Sequence, residues 1–207
     1  MALIHLLGKH PACTTVLESI SKNVVAPQLP AEGKVAEVYI SHVTDDGDVY
    51  LQFQSYSYVH SLVSSVFETS LKEAGVVRGS KSYYCDPSRL YLVRYHRDGN
   101  WYRAAITKQL HAQKEVEVIF VDFGDTETIN PSEMILLDTV RKSVDEFPYQ
   151  AIKVRLHNVP YLSFGERLRE LVPCDERVLV KTLPVRPLST IPEVEIFKRI
   201  QPKSTYT

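Results

Sequence analysis

The alternation of apolar and polar residues predicts β-strands near both ends of the chain. Two runs rich in β-branched and aromatic residues, 35–40 and 49–53, flank a turn at 44–48. In that turn the pair Asp46-Gly47 supplies the positive φ of a tight hairpin. Three later runs predict further strands, at 152–156, 178–183 and 194–197.

A three- and four-residue spacing of apolar positions predicts two helices. The longer one covers about 58–74, and Gly75 stands where such a helix would end. The shorter one opens with a capping-box pattern formed by Ser163 and Glu166, and Pro173 ends it.

The middle of the chain changes character between residues 89 and 129. Four short strands, predicted at 90–95, 101–108, 116–123 and 126–129, are separated by turn signals. So few strands at such close spacing predict a small, strongly bent barrel. Because strands and helices lie on both sides of it, we expect this barrel to be inserted into a second β-rich lobe. The fold class predicted is mainly β with α, or α+β.

Composition narrows the classes of function. The 207 residues carry 24 Lys and Arg against 25 Asp and Glu, so no global basic field is available to hold a nucleic acid backbone. Cys13, Cys85 and Cys174 show no CxxC spacing, which favours a reducing, intracellular setting without a disulfide framework or zinc site. We expect no signal peptide and no membrane span, since apolar runs are short.

Aromatic residues gather beside two predicted turns of the small barrel. One interpretation is packing, since each ring buries about 150 to 250 Å². The other is a cage whose ring faces enclose a cation, each contributing about 0.5 to 2 kcal/mol. Strand parity would point Phe120 and Phe123 to opposite faces, so a shared pocket requires a bend near Gly124. The residues concerned are Tyr91, Tyr95, Trp101, Tyr102, Phe120 and Phe123.

Two segments carry a family resemblance. DGNWYRA at 98–104 and VIFVDFGDTE at 118–127 resemble the strand and turn pattern of Tudor domains. Flanking segments, including PEVEIF at 192–197, resemble the two halves of the nuclease-like lobe of extended Tudor domains from germline proteins. The resemblance covers about residues 33–199.

The resemblance implies a small Tudor β-barrel inserted into an OB-like, nuclease-like β-barrel lobe and joined to it by a long helix. The implied organisation is a leader or linker at 1–33, the two halves of the lobe at 34–55 and 147–199, the connecting helix at 56–75, the Tudor barrel at 86–138 and a tail at 200–207.

In the family, four aromatic residues and an asparagine bind symmetrically dimethylated arginine. Carried over residue by residue, these positions fall on Tyr95, Tyr102, Phe120, Phe123 and, in place of the asparagine, Asp125. A carboxylate binds best to a guanidinium whose N–H groups carry no methyl groups. Asp125 in place of asparagine therefore predicts a weaker preference for the methylated form of arginine. The alternative is that Asp125 caps the turn after Gly124. Arg103 and Asp122 are expected to form a structural ion pair, and Trp101 to plug the core.

The implied function is a non-catalytic, monomeric scaffold module in small-RNA (piRNA) silencing of transposons. Its partner would be a methylated arginine peptide in the disordered tail of a Piwi-family Argonaute protein, met in perinuclear cytoplasmic germline granules (nuage) during gametogenesis. No catalytic, cofactor or metal site is expected, because the seven histidines are scattered and no nucleophile motif occurs. Alternatives are an arginine reader with little methylation dependence, weak RNA binding, or a scaffold whose cage is silent.

Overall fold

The structure is a computed structural model, and it describes residues 26–55, 58, 85–112, 114–139, 148–159, 165–184 and 189–198. The chain divides into two compact units. We call Pro27–Tyr56 with Ala151–Thr207 the barrel unit, and Met1–Ala26 with Ser57–Gln150 the sheet unit. The bulk of the sheet unit therefore interrupts the barrel unit in sequence.

The described residues contain ten strands and, apart from the single helical residue Tyr58, one α-helix. In chain order these are β1 Val35–Val43, β2 Asp48–Gln52, β3 Leu90–Arg94, β4 Trp101–Leu110, β5 Glu115–Phe120, β6 Thr126–Ile129, β7 Ile135–Leu136, β8 Ile152–Leu156, α1 Gly165–Leu171, β9 Arg177–Thr182 and β10 Glu193–Phe197. Short 3-10 turns lie at Pro131–Glu133 and Leu137–Thr139.

The barrel unit is a closed five-stranded barrel in the order β1-β2-β8-β10-β9. Neighbouring strands of this barrel are antiparallel except β8 and β10, which are parallel to each other. Apolar residues at alternate positions point inward, because successive side chains of a strand face opposite sides. The buried core so formed is aliphatic, and consists of Val38, Ile40, Val43, Val49, Leu51, Val154, Leu168, Val172, Val178, Val180 and Val194.

Helix α1 adds Leu168 to this core and approaches the β1–β2 turn closely. A Cβ on Gly165 would lie 2.6 Å from the backbone oxygens of both Thr44 and Asp45, so only glycine fits there without a shift. Arg169 in the last turn donates from Nη1 to the carbonyl of Val43 at 3.1 Å. The helix is therefore fixed to the barrel by both apolar and polar contacts.

The sheet unit is an antiparallel sheet in the order β6-β5-β4-β3-β7. A register shift between Ile106 and Lys108 interrupts the β4–β5 ladder, and such a bulge bends a strand and increases its twist. Hydrogen-bonded pairing does not close this sheet within the described residues, where β6 and β7 form its two ends.

The mainly β fold class with a short helix is confirmed, as are the first hairpin and the strands at both ends of the chain. One predicted boundary is wrong: the strand expected at 116–123 ends at Phe120, because residues 121–123 form a turn. The pattern also missed β7, which has only two residues.

Several predicted features lie outside the described residues. These are the leader up to residue 25, the capping residue Ser163, the tail at 200–207 and the connecting helix, of which only Tyr58 is described and is helical. The domain boundaries given above stay a prediction.

Candidate binding site

Two turns of the sheet unit present the predicted aromatic residues. The first follows β3, where the N–H of Tyr95 donates to the carbonyl of Asn100 at 2.9 Å and the N–H of Gly99 donates to the carbonyl of Tyr95 at 2.8 Å. Gly99 has φ of 72°, a backbone conformation that glycine adopts without steric penalty. This turn leads into β4, whose Tyr102 pairs with Val93 of β3. Tyr95 and Tyr102 thus reach the same end of the sheet.

The second turn follows β5 and explains how Phe120 and Phe123 can face the same pocket although strand alternation would point them to opposite faces. The N–H groups of Phe123 and Gly124 donate to the carbonyl of Phe120 at 3.0 and 2.7 Å, so the chain reverses directly after Phe120. Gly124, with φ of 91°, completes the reversal. The bend therefore begins three residues earlier than Gly124. It brings Phe123 to the same side as Phe120.

Four rings meet edge to face in what we call the ring cluster: Tyr95, Tyr102, Phe120 and Phe123. Ring centroids are 5.9 Å apart for Tyr95 and Tyr102, 5.1 Å for Tyr95 and Phe120, 5.7 Å for Tyr102 and Phe120, and 5.3 Å for Tyr102 and Phe123. Interplanar angles lie between 68° and 89°, so neighbouring rings stand as walls at a steep angle. Such T-shaped pairs match the positive edge of one ring to the negative face of the next.

Burial differs among the four rings. Tyr102, Phe120 and Phe123 are 3%, 2% and 5% exposed, whereas Tyr95 is partly exposed. The interpretation that the rings pack in the core therefore fits three of the four rings in this structure. Tyr95 is the ring through which the cluster meets solvent.

Both tyrosine hydroxyls of the ring cluster donate to carboxylates. Tyr95 donates to Oδ2 of Asp125, and Tyr102 donates to Oδ2 of Asp98 at 2.6 Å. Burial, and then the hydrogen bond to Asp125, raises the pKa of Tyr95 well above its usual value, so its hydroxyl stays protonated near neutral pH. Each tyrosine ring is held at its polar end as well as by its neighbours.

Asp125 fills one of the roles considered for it, the turn cap, and makes a second contact that was not expected. Its Oδ1 accepts from the N–H of Thr126 at 2.9 Å, which is the turn-capping role, while its Oδ2 accepts from Tyr95. The part played by Asp98 was missed by sequence reasoning. Its place in an Asp-Gly turn indicated only the turn, and the contact with Tyr102 arises because the turn folds back over β4.

Arg103 and Asp122 form the expected ion pair, and they are 0% and 1% exposed. The guanidinium donates from Nε to Oδ2 at 2.9 Å and from Nη2 to Oδ1 at 2.6 Å, which is a fork-to-fork contact. Nη2 also donates to the carbonyl of Pro148 at 3.0 Å. Since Arg103 follows Tyr102 on β4 and Asp122 precedes Phe123 in the turn after β5, this pair joins that strand to that turn beside two residues of the ring cluster.

The outer side of Tyr95 carries further charged groups. The guanidinium carbon of Arg97 lies 5.8 Å from the ring centroid, within reach of a cation–π contact. His96 packs against the same ring with centroids 5.2 Å apart, and its Nδ1 contacts Oε1 of Glu127.

Trp101 was expected to plug the core. Its side chain is only partly buried, so it fills the core less than predicted.

Within the described ranges, no three His, Cys, Asp or Glu side chains cluster in a way that could hold a metal ion. No helix in the same ranges is both long and apolar enough to cross a membrane.

The fold and the site define a two-unit, mainly β module that carries a cluster of four aromatic rings on its interrupting sheet. The model of the Tudor domain family matches residues 30–158, which is more than half of the chain. The chain therefore belongs to the Tudor domain family.

Curated relatives agree. RING finger protein 17 from Homo sapiens is 34% identical over 139 residues, which are 65% of this chain and 8% of that protein. Tudor domain-containing protein 6 from Homo sapiens is 27% identical over 124 residues, which are 59% of this chain and 6% of that protein. The chain thus spans less than a tenth of the length of these relatives.

Solved structures show the same fold. An extended Tudor domain of mouse TDRD1, in complex with a MILI peptide containing dimethylarginine, matches with a TM-score of 0.63 at 16% identity over 84% of this chain and 87% of that one. The extended Tudor domain of Drosophila melanogaster Papi, in complex with a Piwi N-terminal peptide, matches with a TM-score of 0.56 at 22% identity over 79% and 89%. The predicted extended Tudor fold, a small Tudor β-barrel inserted into a nuclease-like β-barrel lobe, is confirmed.

Proposed function

We propose that this chain is a non-catalytic module that binds an arginine-containing peptide, with the ring cluster enclosing a symmetrically dimethylated guanidinium. The observation that carries the proposal is the meeting of four rings, with centroids 5.1 to 5.9 Å apart, at the turns of a Tudor sheet. Structures of extended Tudor domains of similar fold have been solved in complex with dimethylarginine peptides, which supports the same ligand class here.

The chemistry of the ring cluster fits this ligand. A dimethylated guanidinium keeps its positive charge but presents apolar methyl groups, so it gains both cation–π attraction and burial from ring faces. Each ring face contributes about 0.5 to 2 kcal/mol, depending on how far the cation is desolvated. The carboxylates of Asp98 and Asp125 lie at the polar ends of two rings and add negative potential.

The partner we propose is the disordered tail of a Piwi-family Argonaute protein, met in the perinuclear germline granules of the cytoplasm. There the module would act as a scaffold in piRNA silencing. A Piwi N-terminal peptide bound to a domain of similar fold supports this choice. Because a flexible tail must be ordered on docking, we expect a dissociation constant on the order of micromolar, or about −8 kcal/mol.

RNA is the less favoured ligand of the same surface. Aromatic rings can stack bases, but a phosphate backbone also needs basic residues beside them. Around the ring cluster the carboxylates of Asp98, Asp125 and Glu127 lie close to the rings, and they outnumber the guanidinium of Arg97 beside Tyr95. The net negative charge of these four groups repels phosphate and attracts a guanidinium.

The test is a calorimetric titration of one Arg-Gly tail peptide in its symmetrically dimethylated form. Phe123→Leu removes one ring face while keeping an apolar side chain, and we expect affinity to fall about 2- to 30-fold, which is one ring's share. Phe197→Leu removes a ring that is exposed on the barrel unit and serves as the matched control, with affinity unchanged. No binding by the parent protein, or equal losses in both variants, would overturn the proposal.

A further inference from the structure

Both tyrosines of the ring cluster are tied to a carboxylate that is itself fixed in a turn. Oδ1 of Asp98 accepts from the N–H of Asn100 at 2.9 Å, and its Oδ2 accepts from Tyr102. Oδ1 of Asp125 accepts from the N–H of Thr126 at 2.9 Å, and its Oδ2 accepts from Tyr95. Each acid therefore links a turn to a ring.

These hydrogen bonds limit how Asp125 can contact a bound guanidinium. A guanidinium fork binds a carboxylate through two parallel N–H donations, one to each oxygen. In Asp125 both oxygens already accept a hydrogen bond, one from Thr126 and one from Tyr95. A direct fork would have to share both oxygens with donors of the protein itself. The geometry favours an indirect role, in which the carboxylate acts on the ring that it holds.

The physical effect of such a carboxylate on a ring is electrostatic. A phenol that donates to a carboxylate gains electron density on its oxygen and ring, which strengthens the attraction of a ring face for a cation. The partly buried position of Tyr95 reduces screening by solvent. Arg97 already places a guanidinium carbon 5.8 Å from the centroid of this ring, within the range of a cation–π contact.

We propose that Asp125 and Asp98 are positioning residues that act through Tyr95 and Tyr102, so that the two carboxylates strengthen the binding of arginine and of its methylated forms by the same factor. This inference rests on the function proposed above. A carboxylate acting through a ring contributes equally to every cationic ligand, whereas a carboxylate that grips N–H groups directly favours the unmethylated form, which has most of them.

The first test compares Asp125→Asn with the parent protein, using one Arg-Gly peptide in unmethylated, monomethylated and symmetrically dimethylated forms. Asparagine keeps the size of the side chain and an acceptor for Tyr95 but removes the charge. We expect all three affinities to fall by a common factor of about three to ten. Glu133→Gln, which removes an exposed acid elsewhere on the sheet unit, should leave them unchanged. A loss confined to the unmethylated peptide would overturn the inference in favour of a direct fork.

A double-mutant cycle provides the second test. Tyr95→Phe removes the hydroxyl, so Asp125→Asn should have little further effect on affinity in that background. Independent, additive losses would contradict action through Tyr95.

A third test uses a neutral citrulline version of the peptide, whose binding is followed by NMR at high peptide concentration. Asp125→Asn and the parent protein should bind this peptide with the same affinity. If Asp125 had a merely structural role, the substitution would weaken binding of the citrulline peptide by the same factor as binding of the cationic peptides.

These outcomes separate the two proposals. If the parent protein binds none of the peptides, the proposed function fails, and this inference fails with it. If Phe123→Leu weakens binding while Asp125→Asn does not, the ring cluster binds the peptide and only the inference is wrong.

Discussion

Each of the two units has an aliphatic interior, and the two differ in what is added to it. The buried core of the barrel unit is a cluster of valine, leucine and isoleucine. The sheet unit buries aliphatic residues as well, among them Leu92, Val118 and Leu137, and it adds three of the four rings of the ring cluster and a buried ion pair. An aliphatic interior stabilises a fold by burial, which has no direction. Rings, hydroxyls and carboxylates add direction and charge, and the ring cluster is the reason why we place the proposed ligand site in the sheet unit.

The largest expected effect comes from breaking the ion pair of the sheet unit. Asp122→Ala removes the carboxylate that accepts two hydrogen bonds from the guanidinium of Arg103, which is 0% exposed. Such a change lowers the free energy of unfolding by about 3 to 5 kcal/mol. Urea unfolding followed by the fluorescence of Trp101, the single tryptophan of the chain, reports on this unit. A loss below about 1 kcal/mol would show that the charge is relieved by solvent, as at exposed pairs.

A smaller effect is expected from overfilling the barrel unit. Gly165→Ala places a methyl group 2.6 Å from two backbone oxygens of the β1–β2 turn, so the helix or the turn must shift. We expect a loss of about 1 to 3 kcal/mol, measured as the unfolding midpoint by circular dichroism. Glu170→Ala, at an exposed position of the same helix whose surface ion pair contributes little, controls for the change in helix composition. Equal midpoints for the two variants would mean that the close approach is not maintained in solution.

The smallest effect is expected from an ion pair on the surface. Arg167 and Glu170 are 64% and 62% exposed, with Nη1 and Oε2 3.0 Å apart. Glu170→Gln should change the free energy of unfolding by less than about 0.5 kcal/mol, because water and salt screen the pair. Chemical unfolding at low and at high salt checks this, and a large, salt-independent loss would contradict it. Set beside Asp122→Ala, the result measures how much burial alone changes the value of an ion pair.

Local patterns predicted much of this fold. Alternating apolar residues placed the strands at both ends of the chain, since the period of two is a property of each strand by itself. The same pattern did not predict the parallel pairing of β8 with β10, since it shows which side of a strand is buried and not which strand lies beside it.

The ring cluster shows the same limit. Its four residues were found from motif resemblance, but strand parity argued against Phe123, because the turn after Phe120 cannot be read from alternation. Asp98 was overlooked because a carboxylate in a turn is usually explained by the turn itself. Its bond to Tyr102 depends on how far that turn folds back over β4.

The pairing of β2 with β8 has a consequence for how the chain is made. Leu51 lies opposite Ile152 in this ladder, so the barrel needs two strands that are about a hundred residues apart in sequence. During synthesis β1 and β2 leave the ribosome first and have no partner in β8 until the whole intervening segment has been translated. The sheet unit, whose strands are close together in sequence, can fold in that interval, because local contacts form faster than distant ones.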